Sequence, residues 1–123
     1  GGSLKTMEWG NAAGLVLPND ATNGIITAHS YVTYSDETLK TNINPLDNAL
    51  DTVKSLRGVS YEWKNDGKSD IGFIAQEVNE VVPQVVRANR GEGNHYGLDY
   101  ARLTAVLVEA VKELAAKVEN NNK

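Results

Sequence analysis

The 123-residue sequence contains no cysteine, which excludes disulfide bonds, thiolate metal sites and cysteine nucleophiles. Its only histidines, His29 and His95, lack the close spacing that is typical of zinc ligands. No apolar run approaches the roughly 20 residues that a membrane-spanning helix requires. We therefore expect no metal, no other cofactor and no membrane partner.

Positive charge is also scarce, with 12 Lys+Arg against 16 Asp+Glu and a net charge of −4. Nucleic-acid binding usually requires a basic stripe, so we expect no nucleic-acid partner. The 41% hydrophobic content suffices for one modest core. A domain of this size buries roughly two-thirds of its unfolded surface, so association between copies would add considerable stability.

Residues 4–34 differ in composition from the remainder of the chain. Turn signals such as Asn23-Gly24 separate short apolar runs, including residues 15–17 and 24–27. This alternation predicts short strands. The strands belong either to an edge hairpin of the following domain or to the end of a longer β-rich shaft. Gly1-Gly2-Ser3 is typical of a linker.

A first helix is predicted over residues 45–57. Asn44 can cap it, and Pro45 suits the first helical position. Arg57 followed by Gly58 is a favourable end. The apolar residues recur at helical spacing and form one stripe: Leu46, Ala49, Leu50, Val53 and Leu56.

Two β-ribbons are predicted next, with a short helix between them. Asp66-Gly67 is a strong hairpin signal, and Pro83 ends the short helix. Trp63 and Trp9 are interpreted as packing residues. The predicted segments are a strand over 59–63 with Val59, Tyr61 and Trp63 on one face, a strand from near Asp70 through Ile74, a helix over 75–82, and a second ribbon of 85–87 and 95–98 joined by the glycine-rich 89–94.

The last predicted helix runs from about Tyr100 to Glu119, with Asp99 as its cap. Its apolar residues follow the 3-4-3-4 spacing of a coiled-coil seam: Tyr100, Leu103, Leu107, Ala110 and Leu114. Val106, Val111 and Val118 widen the stripe, and Lys117 occupies the next core position. The seam is short for a free coiled coil. The helix therefore either packs on its own domain or joins a bundle of several chains.

Three sequence blocks together resemble a known family. The first is Ser35-Asp36 followed by Leu39-Lys40 and Asn42-Ile43, the second is Gly72–Val78 with Pro83, and the third is Leu98–Leu103. In this order they resemble the S74-type intramolecular chaperone domains of phage tail fibres, tailspikes and endosialidases. The resemblance covers about residues 35–119.

The resemblance implies an assembly function. Family members form a trimer that aligns three chains, promotes folding of the upstream β-structure and then cleaves itself before the motif serine. The implied fold is α+β, with β-ribbons and a long C-terminal helix that forms a homotrimeric helical bundle. Residues 1–34 would be the end of an upstream fibre region, and residues 35–123 the chaperone domain. The chain would be virion-associated during assembly in the host cytoplasm, and the chaperone would be released after cleavage.

By the same resemblance, the scissile bond is Tyr34–Ser35, Ser35 is the nucleophile and Lys40 is its base. A serine hydroxyl is a poor nucleophile unless a base removes its proton, and a neutral lysine can serve. The enzyme class would be a self-cleaving serine endopeptidase that acts once, in cis. Five residues of separation do not guarantee contact. We expect either a turn at Asp36-Glu37 or a partner chain to bring the two side chains together.

Four further residues are candidates for supporting roles: Asp70, Gly72, Gln76 and Glu77. Asp70 occupies a position where family members often have histidine, and His95 is a candidate spatial substitute. Gly72 would let backbone donors approach a developing oxyanion. Gln76 and Glu77 line the cleavage site, join a subunit contact or lie on a solvated helix face.

Two rival functions stand beside autoproteolysis. One is a non-cleaving trimerisation module or receptor-binding tip of a fibre, which the aspartate at position 70 favours. The other is a serine hydrolase acting on external substrates. The sequence disfavours it, because it has neither a nucleophile elbow nor a His-Asp pair for the serine.

Overall fold

The structure, a computed structural model, describes residues 14–90 and 93–122, without the side chains of 89 and 90. The predicted linker at Gly1–Ser3 and Trp9 lie outside these ranges. The helices are α1 (Ala49–Lys54), α2 (Ala75–Val81) and α3 (Leu103–Asn121), the strands are β1 (Val59–Glu62), β2 (Ser69–Gly72), β3 (Val86–Arg90) and β4 (His95–Leu98), and the 3-10 turns are Glu37–Leu39, Pro83–Val85 and Tyr100–Arg102. The predicted α+β class is confirmed.

Two antiparallel ribbons, β1–β2 and β3–β4, contribute the described strands. In the first, Val59 lies opposite Gly72 and Glu62 opposite Ser69. The predicted Asp66-Gly67 turn joins its strands, with Gly67 at a φ of 73°. Its amide donates to the Trp63 carbonyl at 2.8 Å. The predicted hairpin is therefore confirmed, and the left-handed backbone explains the glycine.

Helix α1 differs from its prediction, because it covers only Ala49–Lys54 and not residues 45–57. Asn44 does not cap it. Its side-chain Nδ2 instead donates to the Asn42 carbonyl at 3.0 Å. The free backbone amides at the N-terminus of α1 are capped by a residue of α3. The Glu113 carboxylate accepts hydrogen bonds from the amides of Ala49 at 2.9 Å and Leu50 at 3.2 Å. A carboxylate suits these free amides and the positive end of the helix dipole.

The core is small and lies where α1, α2 and α3 meet. Val78 of α2 is the most deeply buried side chain in it, with 1% of its surface exposed. Helix α1 packs against α3. The buried residues are Ala49, Val78, Val82, Val85, Leu103, Val106 and Ala110.

Helix α3 has two apolar faces, and the residues of the predicted seam are divided between them. Leu103, Val106 and Ala110 are buried against the chain's own core. The other face is a stripe of side chains that are about half exposed and spaced 4-3-4: Leu107, Val111, Leu114 and Val118. We call this second face the outer stripe. The 4-3-4 spacing is that of a coiled-coil seam, and it passes through Val118 rather than Lys117.

The start of the last helix also differs in detail from its prediction. A 3-10 turn over Tyr100–Arg102 precedes α3, and the Asp99 side chain makes no capping hydrogen bond to it. The carboxylate instead forms ion pairs with Arg102 and, at 3.7 Å, with Arg87. Asp99 therefore joins β3 to the start of the last helix by charge.

Residues 14–34 contain none of the predicted strands. Asp20 nucleates a turn, since its carboxylate accepts from the Thr22 amide at 2.8 Å and its carbonyl accepts from the Gly24 amide at 3.1 Å. The apolar runs on either side form no ladder with a neighbouring strand within the described residues. A strand needs a hydrogen-bonded neighbour, and the described part of a single chain supplies none here.

Candidate active site at the Ser35–Lys40 turn

The structure brings together the side chains of Ser35 and Lys40. The Lys40 Nζ donates a hydrogen bond to the Ser35 Oγ at 2.8 Å. This is the contact that a lysine base needs in order to take the serine proton. It is made within one chain.

A tight turn between the two residues makes this contact possible. Glu37–Leu39 form a single 3-10 turn in which the Leu39 amide donates to the Asp36 carbonyl at 3.1 Å. The Lys40 amide closes the turn on the Glu37 carbonyl, also at 3.1 Å. The chain is extended at Asp36 and again at Lys40. Of the two expected alternatives, the turn is therefore the one observed.

The electrostatics of the turn centre on Asp36. Its Oδ1 accepts from the Thr38 hydroxyl at 2.6 Å and from the Thr38 amide at 2.8 Å. These two bonds, the hydroxyl first, hold the pKa of the Asp36 carboxyl below its ordinary value. The charged carboxylate is thus the form that caps the turn.

The site is open to solvent on both sides of the Tyr34–Ser35 bond. Ser35, Lys40 and the turn between them are exposed, and the Tyr34 side chain is 90% exposed. The described part of a single chain therefore does not bury Lys40.

Asp70, the first of the supporting candidates, is part of the β1–β2 ribbon. Its Oδ2 accepts from the Trp63 indole nitrogen at 3.1 Å, and its Oδ1 accepts from the Ile71 amide at 2.8 Å. The Trp63 ring also stands edge-on to Tyr61, with ring centroids 5.1 Å apart. Trp63 is therefore held in place by its neighbours, in line with its predicted packing role, although 44% of its surface remains exposed.

Gly72 lies beneath the hydroxyl of Tyr100. A Cβ at position 72 would come within 2.5 Å of the Tyr100 Oη and within 3.5 Å of the Tyr61 Oη. The same Tyr100 hydroxyl accepts from the Phe73 amide at 3.1 Å. Glycine at this position leaves room for a tyrosine that fastens the end of β2 to the turn before α3.

Glu77 and Gln76 lie in the first turn of α2. The Glu77 carboxylate forms a two-bond ion pair with Arg57, at 2.6 Å and 3.0 Å, which joins α2 to the segment after α1. These hydrogen bonds hold the pKa of Glu77 below its ordinary value. Gln76 is exposed on the solvated face.

In the described part of the chain, the supporting candidates are not hydrogen-bonded to the Ser35–Lys40 pair. Across residues 14–90 and 93–122, no side-chain hydrogen bond joins the pair to Asp70, Gly72, Gln76, Glu77 or His95. His95 is exposed at the start of β4, on the ribbon that does not contain Asp70. Nor do the described residues group three potential metal ligands, and none of their helices is long and apolar enough to cross a bilayer.

Sequence reasoning gave Thr38 no role, and it placed Tyr100 in the seam of the last helix, whereas Tyr100 lies in a 3-10 turn and bonds to Phe73. Thr38 carried a signal, because an aspartate two residues before a threonine is typical of a side-chain-capped turn. The tyrosine lies 27 residues from its partner Phe73, and no local pattern predicts that contact.

Comparison with protein families finds one matching family over part of the chain. The model described as "Chaperone of endosialidase" (Peptidase S74) matches residues 35–87. The resemblance to the S74-type chaperone family is confirmed. The match begins at Ser35 and covers the first two sequence blocks, while the third block, at 98–103, lies beyond it.

Two curated relatives are phage fibre proteins, the long tail fiber proteins Gp37 of Enterobacteria phages K3 and T2. Each is 36% identical over 101 residues, which cover 76% of this chain. The chain spans about 8% of the length of these relatives. The similarity therefore links this chain to a short part of much longer fibre proteins.

Proposed function

We propose that this chain is a fibre-associated chaperone that assembles as a trimer, aids folding of the segment before Ser35 and then releases itself by cutting the Tyr34–Ser35 bond. The observation that carries the proposal is the 2.8 Å hydrogen bond from Lys40 Nζ to Ser35 Oγ. The family match and the phage tail fibre relatives support the fibre-associated role.

The chemistry follows from the position of Ser35 on the C-terminal side of the bond. Neutral Lys40 takes the hydroxyl proton as Ser35 Oγ attacks the Tyr34 carbonyl carbon. The C–N bond then breaks, and the lysine returns the proton to the departing Ser35 nitrogen. An ester now joins the Tyr34 carbonyl to the Ser35 side chain. Water hydrolyses this ester and leaves a Tyr34 carboxylate and a free Ser35 hydroxyl.

The proposed trimer would activate a pair that a single chain leaves exposed. Lysine acts as a base only when it is neutral, and burial favours the neutral form. Neighbouring copies that cover Lys40 would supply that burial. Cleavage would then follow assembly, which separates the folding aid from its product only after the product has formed.

The outer stripe is the proposed trimer contact. Leu107 and Leu114 are each about half exposed, although the same helix buries Ala110. An apolar stripe with 4-3-4 spacing is stabilised when parallel helices meet along it. A closed ring of three copies would cover the stripe on every chain.

Intact-mass spectrometry of the purified chain tests the cleavage. The parent should yield one fragment that ends at Tyr34 and one that begins at Ser35. Ser35→Ala should leave a full-length chain, because it removes the nucleophile. Lys40→Arg should also remain uncut, since a guanidinium stays protonated and cannot act as the base. Lys40→Arg cut as fast as the parent would exclude a lysine base.

The test needs a control for folding. Lys112→Arg makes the same exchange in α3, where the lysine forms an exposed ion pair with Glu109 at 3.1 Å. It should be cut at the parent rate. Ser35→Ala and Lys40→Arg should keep the circular dichroism and the oligomeric state of the parent.

A second candidate function is a non-cleaving trimerisation module or receptor-binding tip. Asp70 favours it, because an aspartate bonded to Trp63 stands where family members often have histidine. A parent chain that stays intact under all conditions, yet sediments as a trimer, would support this alternative. Cleavage of an added peptide would instead support a hydrolase with external substrates.

A further inference from the structure

The contact between Ser35 and Lys40 depends on how the chain between them is folded. Five residues in an extended chain span about 17 Å, farther than a lysine side chain can reach. In a 3-10 turn each residue advances only about 2 Å. The single turn at Glu37–Leu39 therefore shortens the path enough for the Lys40 ammonium to reach the Ser35 hydroxyl.

Nothing buried holds this turn in place. It contains no buried residue, and 66% of the Leu39 side chain is exposed. A lone helical turn is unfavourable by itself, because few hydrogen bonds compensate for the ordered backbone. What stabilises it here is the Asp36 carboxylate, which accepts from both the amide and the hydroxyl of Thr38.

We propose that Asp36 and Thr38 are positioning residues, which hold the turn closed and thereby keep Lys40 against Ser35. The pair acts through the lysine and the serine, and it does not touch the bond that is cut. The inference rests on the proposed self-cleavage. It adds that the capped turn determines how often the Lys40 and Ser35 side chains are in contact. Asp36→Ala should slow cleavage without abolishing it, because the open turn still closes transiently.

Rates of self-cleavage in a matched series test this role. Because Asp36→Ala removes a capping side chain, its rate of self-cleavage should be about 3- to 30-fold lower than that of the parent. Asp36→Asn keeps an acceptor oxygen and should cleave near the parent rate. Thr38→Val should be slowed and Thr38→Ser rescued, since only serine retains the hydroxyl donor. Glu37→Gln, in the same turn, is the control and should match the parent.

The pH profile separates positioning from a direct effect of the Asp36 charge on Lys40. A positioning role lowers the plateau rate of Asp36→Ala and leaves the midpoint pH of the profile unchanged. If the charge acted on the lysine, Asp36→Ala and Asp36→Asn would both shift that midpoint. Such a shared shift, or cleavage of Asp36→Ala at the parent rate, would overturn the proposal.

A readout that needs no cleavage completes the test. In the Ser35 chain kept uncut at mildly acidic pH, where a lysine base stays protonated, NMR should detect a nuclear Overhauser effect between the Ser35 β-protons and the Lys40 ε-protons. Adding Asp36→Ala should remove this signal and speed hydrogen exchange of the Thr38 amide, whereas adding Glu37→Gln should do neither. Persistence of the signal without Asp36 would overturn the positioning role. A chain that shows the Asp36-dependent signal but whose parent is never cut would refute self-cleavage alone.

Discussion

Residues 14–48 and residues 49–110 are built in opposite ways. Every buried side chain of the described ranges lies between Ala49 and Ala110, whereas residues 14–48 bury none. Val32 is 93% exposed, and Val78 is 1% exposed. Residues 49–110 therefore supply their own core. The segment around the proposed cut is shaped by hydrogen bonds between near neighbours.

This difference suits a folding aid and its product. A domain with its own core can form before the segment that it assists, and it can survive separation from it. Within the described residues, the upstream segment exposes apolar side chains such as Ile25 and Val32. The Ser35–Lys40 pair lies at the start of the family match, at the border of the two regions, where a local turn brings the two side chains together within one chain.

The largest expected effect concerns the two faces of α3. Ala110→Asp places a carboxylate in the core that α3 forms with α1, so the domain should lose its fold. Leu107→Asp places the same carboxylate on the outer stripe. It should leave a folded chain that does not form the proposed trimer. Circular dichroism and light scattering coupled to size exclusion would measure folding and assembly separately.

The outcome for Leu107→Asp decides whether the outer stripe is an interface. A trimer of normal stability from this variant would refute that role. Glu119→Gln changes an exposed residue of the same helix and should alter neither folding nor assembly. The variants at positions 107 and 110 thus compare the exposed outer stripe with the buried core face within a single helix.

Removal of two methyl groups from one valine in each region tests the contrast directly. Val78→Ala should lower the free energy of unfolding by about 2 kcal/mol, because it leaves a cavity in the core. Val32→Ala should change it by less than about 0.5 kcal/mol. Urea unfolding of both, in the uncut Ser35→Ala chain, would measure the difference. An equal loss at Val32 would show that the upstream segment is packed in solution.

An effect of similar size concerns Gly72, for which two roles compete. The contact with Tyr100 predicts that Gly72→Ala lowers the free energy of unfolding by about 1–3 kcal/mol, because the added methyl meets the hydroxyl. Tyr100→Phe should cost about 1 kcal/mol through the lost bond to Phe73. The double variant should be less destabilised than the sum, since phenylalanine makes room for the methyl.

Cleavage rates of the same variants separate packing from catalysis at Gly72. If the glycine serves only to admit Tyr100, Tyr100→Phe should restore both stability and cleavage to Gly72→Ala. A double variant that regains stability but remains slow would point to a role of position 72 in the reaction. That result would support the oxyanion role expected from the sequence.

Much of the self-packed region could be predicted from the sequence, because its signals are local. The Asp66-Gly67 hairpin needs only its own turn residues, and α2 ends before Pro83 for steric reasons. Helix α1 was predicted too long because a residue 64 positions away, Glu113, caps it at Ala49. Such a distant acceptor leaves no trace in the local pattern.

The outer stripe of α3 and residues 14–48 were predicted less completely. Periodicity indicated an apolar stripe on α3, but it could not assign Ala110 to the core and Leu107 to solvent, because both fit helical spacing. Residues 15–17 and 24–27 have a composition that is typical of strands. A strand also needs a hydrogen-bonded neighbouring strand, which the local sequence does not reveal. Ser35 and Lys40 came from the family resemblance, and the sequence alone showed only that a turn was needed between them.

The smallest expected effect concerns the exposed ion pair between Arg57 and Glu77. Its hydrogen bonds lower the pKa of Glu77 from an ordinary value of 4.5. A carboxyl whose pKa is lower in the folded state stabilises the fold above that ordinary value, and the contribution disappears as the pH falls through the lowered value. The thermal midpoints of the parent and Glu77→Gln should therefore differ slightly at neutral pH and converge on acidification below 4.5. Glu80→Gln, on the same helix, is the matched control and should track the parent throughout. Added salt should shrink the difference at neutral pH, because both side chains are exposed to solvent. A difference that persisted in acid would mean that Glu77 stabilises the self-packed region by packing and not by charge.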